Sequence, residues 1–230
     1  LQMKYRKQLL GGAIFCIIVL LYISSITLPI FVNQTIGKQN VIIIDPGHGG
    51  NDPGKVGSGD VLEKDINLAI SKKLKTILEK KKFKVKMTRD GDYNLATSTT
   101  NVKVSDLSNR KQIIFDAEPV LVVSVHQNSY PSGEVHGAQV FYYQGSQKGK
   151  QLADCLQSSL VENLDPDNHR VAKANSDYFL LRDNPYVTVI AECGFLSNEE
   201  EKQKLQDKAY QEKAAQAIYK GIQSYLSQEK

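Results

Sequence analysis

Cysteine is scarce, with three residues in 230 and no CxxC pair among them, which argues against a zinc site built on cysteine. Cys16 lies in an apolar run, leaving Cys155 and Cys193 as the two that could form a disulfide if the fold brings their Cα atoms close. Charge is absent from Leu9 to Val32, a stretch of 24 residues. As a helix it would reach about 36 Å at ~1.5 Å per residue, enough to span a bilayer. Lys4, Arg6 and Lys7 precede that run, so the positive-inside rule directs everything after it to the outer side. No small-x-small cleavage site precedes Asn33. Residues 1–32 therefore read as an uncleaved signal anchor, or transmembrane segment, and 33–40 as a polar linker.

A charge excess is missing too. Residues 1–32 hold three of the 29 basic residues and none of the 25 acidic ones, leaving 26 against 25 in the rest of the chain. Nothing there resembles the dense basic patch of a nucleic-acid binder, so nucleic acid is not an expected partner. Internal repeats and low-complexity binding modules are also lacking. The length admits one well-cored domain, read as 41–230, and is too short for two large ones.

What remains is an alternation of strand and helix signals. VIIID is an apolar run closed by Pro46-Gly47, as in a covered strand. Leu62, Ile66, Ile70, Leu74 and Ile77 recur at helical spacing with lysines opposite, giving an amphipathic helix from near Asp60 to about Lys81. FKVKMTR alternates as a strand, and the Thr-, Ser- and Asn-rich residues 91–108 read as a loop before a helix over Arg110 to Ala117. PVLVVSVHQNS, GAQVFYY and VTVIAECGF read as further strands, with helices over Gly149–Asn163 and Lys208–Ser227. This order predicts an α/β three-layer sandwich whose twisted, mainly parallel sheet is flanked by helices. Ligands gather beyond the carboxyl ends of such strands, where His48, His126 and Glu192 fall.

Each candidate has two readings. His48 in DPGHGG and His126 in SVHQNS are suitable zinc ligands as neutral imidazoles, yet a histidine at a strand end is also a good hydrogen-bonded turn residue. Glu63 could be a third ligand that leaves a fourth position open for water. Equally, Asp60 and Glu63 could form a capping box that needs no metal. Glu192, inside an apolar run, is expensive to bury alone. It is either a structural salt-bridge partner, with Arg182 as the candidate cation, or a general base tuned by desolvation beside a metal charge. Asn128 is placed to orient a ligand or a substrate carbonyl, and Arg182 is the second candidate substrate contact. His136 and His169 read as surface or turn residues, and Glu199 to Lys202 as a solvated helix start.

DPGHGG, Glu63 in the following helix, TRDGD, SVHQNS and ECGFLSN occur together and in this order. From Val41 to about Leu226 the chain resembles the zinc-dependent N-acetylmuramoyl-L-alanine amidases. HQNSYPSGEVHGAQVFYY is especially similar to the germination-specific, spore-cortex members. That resemblance implies one Zn2+ held by His48, Glu63 and His126, with Glu192 as the catalytic glutamate. It also implies peptidoglycan as substrate, cut between the lactyl group of muramic acid and L-alanine, and peptide removal toward muramic δ-lactam. An activating protein is a possible partner, and the site of action would be extracytoplasmic, in the cell envelope or the forespore intermembrane space. Two departures stand out: Gln127 where many members have Ala, and Cys193 where a small or apolar residue is common. The rivals are a catalytically silent, membrane-tethered peptidoglycan-binding or regulatory protein on the same fold, and a zinc peptidase cutting the stem peptide. Loss of a ligand or of Glu192 would mark the first, and product analysis separates the second.

Overall fold

A computed structural model describes residues 41–228. The expected anchor over 1–32 and linker over 33–40 lie outside the described residues. Among the described residues no helix is long and apolar enough to cross a membrane.

The VIII run enters the sheet as β1 (Val41–Pro46). A small hairpin, β2 (Val56–Gly57) with β3 (Val61–Leu62), precedes α1 (Glu63–Lys80) and β4 (Lys84–Met87). Then come α2 (Val102–Ala117), β5 (Leu121–Asn128), β6 (Gln139–Tyr143) and α3 (Gln147–Leu164). The short β7 (Lys173–Asn175), β8 (Thr188–Phe195), α4 (Glu199–Gln206) and α5 (Lys208–Gln228) complete the described chain. The six-stranded sheet has the order β4-β1-β5-β8-β6-β7. Strands β4, β1, β5 and β8 run parallel, while β6 lies antiparallel to β8 and parallel to β7. The expected mainly parallel sheet flanked by helices is therefore present.

Alternation along each strand sorts side chains between two unequal faces. Ile42 and Ile44 of β1, Val123 and Val125 of β5, and Val189 and Ala191 of β8 pack beneath α1, α3 and α5 in the main core. Fully buried Leu74, Leu78, Leu152, Leu156 and Ile218 seal that layer, each contributing roughly 1.5–3 kcal/mol relative to exposure. On the opposite face Ile43, Val122, Ile114 and Leu180 form a small cluster under α2 and the irregular segment around Leu180. The third layer is thus one helix and a loop.

One expectation changes, and two open readings are resolved. α2 begins at Val102, within the stretch read as loop, because its buried positions are Asp106, Arg110 and Ile114. An inward stripe that is mostly charged leaves no apolar periodicity to read. The capping box does not form: Asp60 adopts a left-handed φ of 58° before β3, and Leu62, extended and without a side-chain cap, precedes α1. The Glu63 N–H bonds Lys55 O at 3.0 Å instead, which releases its carboxylate to point elsewhere. Finally, Cys155 and Cys193 are both free, the former half-buried on α3 and the latter buried in β8, so the open disulfide reading is corrected.

Candidate active site

The register of three parallel strands assembles the site. Asp45 pairs with Ser124, and His126 with Glu192. In a sheet, register partners point to the same face. At the amino ends that face carries Ile43 and Val122, and toward the carboxyl ends it turns polar with Asp45, Ser124, His126 and Glu192. Thin cover by α2 and residues 177–180 leaves a cavity of about 430 Å³ above them, lined also by His48, Glu63, Lys103, Asn128, Tyr178 and Phe179.

His48 follows β1 in a loop bent by strong backbone constraints. It holds a left-handed φ of 62°, unusual for a side chain larger than glycine. Gly47 beneath it is obligatory for a different reason: a Cβ there would stand 2.1 Å from the His126 ring. A Cβ on Gly54 would stand 2.5 Å from Glu63 Oε2. Glycine therefore lets three side chains converge where larger residues would wedge them apart.

The convergence is tight. Glu63 Oε2 lies 3.2 Å from His48 Nε2, and its Oε1 lies 3.0 Å from His126 Nδ1. The imidazole rings meet edge to face, 5.0 Å between centroids. One donor atom from each of His48, Glu63 and His126 can be chosen so that all lie within 4.8 Å of one another. Further bonds fix the carboxylate, with Lys55 N–H donating to Oε2 at 2.8 Å and Gln127 N–H to Oε1 at 3.1 Å. Burial opposes the charge on Glu63, but the two imidazoles hold its pKa far below the carboxylate range. His48 shows the converse, since burial favours its neutral ring while Glu63 and Asp52, the latter 2.8 Å from Nδ1, raise it to about 9.

Glu192 differs from Glu63 in its surroundings. It is buried, its Oε2 has no hydrogen-bond partner among the described residues, and burial pushes its pKa up to about 7. The salt-bridge reading is not met. Arg182 is half exposed, pairs with Asp183 at 3.5 Å, and stands over the Phe179 ring instead of lining the cavity. Asn128, at a bulge in the β5–β8 register, does line the cavity. His136 and His169 are exposed and lie apart from the triad.

Several supporting residues carried no assigned role on the sequence alone. Arg110 is fully buried and bonds Asp45 Oδ1 at 2.8 Å, Asp106 Oδ2 at 2.7 Å, Pro46 O at 2.7 Å and His48 O at 2.6 Å. Arg89, from TRDGD, holds Pro46 O and Gly47 O on the other side of the same loop. Asp45 meets both Ser124 and Thr88 at 2.6 Å. Although burial opposes its charge, Arg110 and these hydroxyls lower its pKa to about 2. Gln127 belongs to a buried amide chain, donating to Asn67 Oδ1 at 3.2 Å, while Asn67 donates to Glu63 Oε1 at 3.2 Å. Glu199 and Glu200 are solvated helix-start residues as expected, but Glu201 turns inward and accepts from Phe195 N at 2.7 Å and Gly137 N at 3.1 Å.

Comparison with known proteins bears on this architecture. Residues 42–224 match the N-acetylmuramoyl-L-alanine amidase family. The germination-specific N-acetylmuramoyl-L-alanine amidase of Bacillus subtilis (strain 168) is 37% identical over 192 residues, covering 82% of this chain and 80% of that protein. Among solved structures, the CwlD amidase of Clostridioides difficile, in complex with the GerS lipoprotein, superposes with a TM-score of 0.79 at 43% identity, covering 82% of this chain and 98% of that one. The amidase AmiC2 of Nostoc punctiforme gives 0.72 at 30% identity, with 82% and 98% covered. With the family matched through nearly all of the described fold, the chain belongs to the N-acetylmuramoyl-L-alanine amidases, enzymes that act on peptidoglycan.

Proposed function

We propose that this chain is a zinc-dependent amidase of the spore cortex. In this reading it cuts the lactyl–L-alanine amide of peptidoglycan and prepares the stripped muramic acid for δ-lactam formation. The observation that carries the reading is the convergence of His48, Glu63 and His126 beside a buried, unpartnered Glu192 oxygen. Two imidazole nitrogens and a carboxylate oxygen suit zinc, and three protein donors leave a position for water or substrate. When bound, the ion supplies Lewis acidity to the scissile carbonyl and to the attacking water. Glu192 Oε2 takes the proton of that water and returns it to the nitrogen of the departing alanine. Asn128 Oδ1 already accepts from Ser129 N–H at 2.8 Å, so its amide nitrogen is the group that donates to a substrate carbonyl. A substrate arm passing Phe179 meets Arg182.

The cortex assignment draws on the germination-specific relative. The relative solved with a lipoprotein supports the expectation of a protein partner here. Anchoring through residues 1–32, with the domain on the outer side, completes the proposal and rests on the uncharged run and its basic flank. Digestion of cortex peptidoglycan by the full-length chain, analysed by mass spectrometry, tests it. Glycan bearing free lactyl carboxylates together with peptides starting at free L-alanine is the expected result. Peptides cut internally, with the muramoyl–alanine link intact, would promote the peptidase.

A further inference from the structure

The near-neutral charge of the chain beyond residue 32 hides a strong segregation. Residues 72–86 contain eight lysines and one acid, Glu79. Lys72, Lys80, Lys81, Lys82, Lys84 and Lys86 are exposed. A groove of about 700 Å³ between α1 and α5 is lined by Lys72, Lys73, Lys80, Lys81 and Lys208, with Glu212 as its single acid. Lysines on the edge strand β4 are a common guard against edge-to-edge pairing. That explains Lys84 and Lys86 but not the lysines on the helix.

The position of this face in the fold suggests its partner. Val41, where the described chain starts, is the register partner of Lys84. The lysines of β4 and of the α1 carboxyl end therefore surround the point at which residues 1–40 join the sheet. His48, His126 and Glu192 sit at the opposite ends of the parallel strands, about 20 Å away at ~3.3 Å per residue over β1. Eight linker residues, 33–40, reach at most about 29 Å when extended. A bilayer spanned by the uncharged run would thus lie within reach of the lysine face, and a short tether raises the local concentration of any such contact. Basic surfaces are attracted to anionic bilayers and lose that attraction beyond a Debye length of about 10 Å at 0.1 M salt.

We propose that this lysine face docks on anionic phospholipid at the membrane surface and points the active site away from the bilayer, toward the glycan. The proposal rests on the anchor reading. It is tested with the full-length chain in vesicles of phosphatidylcholine and in vesicles rich in phosphatidylglycerol, following amide hydrogen exchange across Glu79–Lys86. Exchange there is expected to slow about fivefold or more on the anionic vesicles only. High salt, or K80Q/K81Q/K82Q, should remove the protection without changing turnover on soluble muropeptides. Equal exchange on both vesicles, protection that survives in the triple variant, or protection by soluble polyphosphate but not by anionic vesicles would overturn it. Failure to insert into neutral vesicles would refute the anchor instead. The face is then judged by capture on anionic vesicles, where salt-sensitive binding by the natural chain but not the triple variant supports it and no binding overturns it.

Discussion

The two faces of the central sheet use the same strands and bury their residues on different terms. Beneath α1, α3 and α5 the contacts are apolar and continuous, so stability there comes from area removed from water. Beneath α2 the apolar cluster is small, and the space toward the strand ends is filled by Asp45, Arg110, Asp106, Ser124, His126 and Glu192. One face is a foundation that tolerates no voids. The other keeps charged groups buried in fixed positions, an arrangement that is costly unless each is paired, and Glu192 Oε2 has no partner among the described residues. The difference teaches that the candidate site of this fold can be recognised by what its burial opposes as much as by which residues line it.

The sharpest way to break the contrast is Glu192→Gln, which preserves shape and removes the proposed base. Turnover should fall by roughly 10²–10⁴, or about 3–5 kcal/mol of barrier, while zinc content measured on the purified protein stays near that of the natural chain. Surviving turnover would assign the proton transfer elsewhere. Arg110→Ala should follow closely, destabilising by about 3–5 kcal/mol in denaturant unfolding, because Asp45 and Asp106 lose a shared buried cation. Zinc retention should drop as well, since Arg110 also holds the His48 carbonyl. Lysine in its place should not restore either property, as one ammonium cannot reproduce the guanidinium's planar set of donors.

Leu152→Ala probes the opposite face. Leu152 is fully buried on α3, and the change should cost about 2–5 kcal/mol of stability. Turnover per folded molecule should be unchanged, and a specific loss would show that the faces are not independent. The smallest expected effect is a pH dependence. In the metal-free chain the His48 pKa rises from 6.5 to about 9. Its contribution to stability is therefore complete below pH 6.5 and disappears as pH climbs through 9, a decline on the order of 1–3 kcal/mol. Denaturant titrations across that window should show the slope without zinc and lose it with zinc, which binds the unprotonated imidazole. A slope unaffected by zinc would separate His48 from metal binding.

By itself the sequence determined the strand–helix alternation, because apolar runs and helical spacing record what must be hidden from water. It also marked the strand ends at which His48, His126 and Glu192 sit, and the family order of motifs gave Glu63 a role beside them. Tertiary structure alone decided between readings the sequence left balanced. Glu63 was free to cap a helix until the left-handed turn at Asp60 removed its partner. Glu192 was free to pair with Arg182 until Arg182 turned to Asp183. Residues 102–108 were indistinguishable from loop because the one side chain they bury, Asp106, is charged, and Arg110 meets Asp45 across 65 positions of sequence. A residue's own preferences are local and can be read from its neighbours in the chain. The partner that makes its buried charge tolerable is chosen by strand register and helix placement, which exist only when the chain has folded.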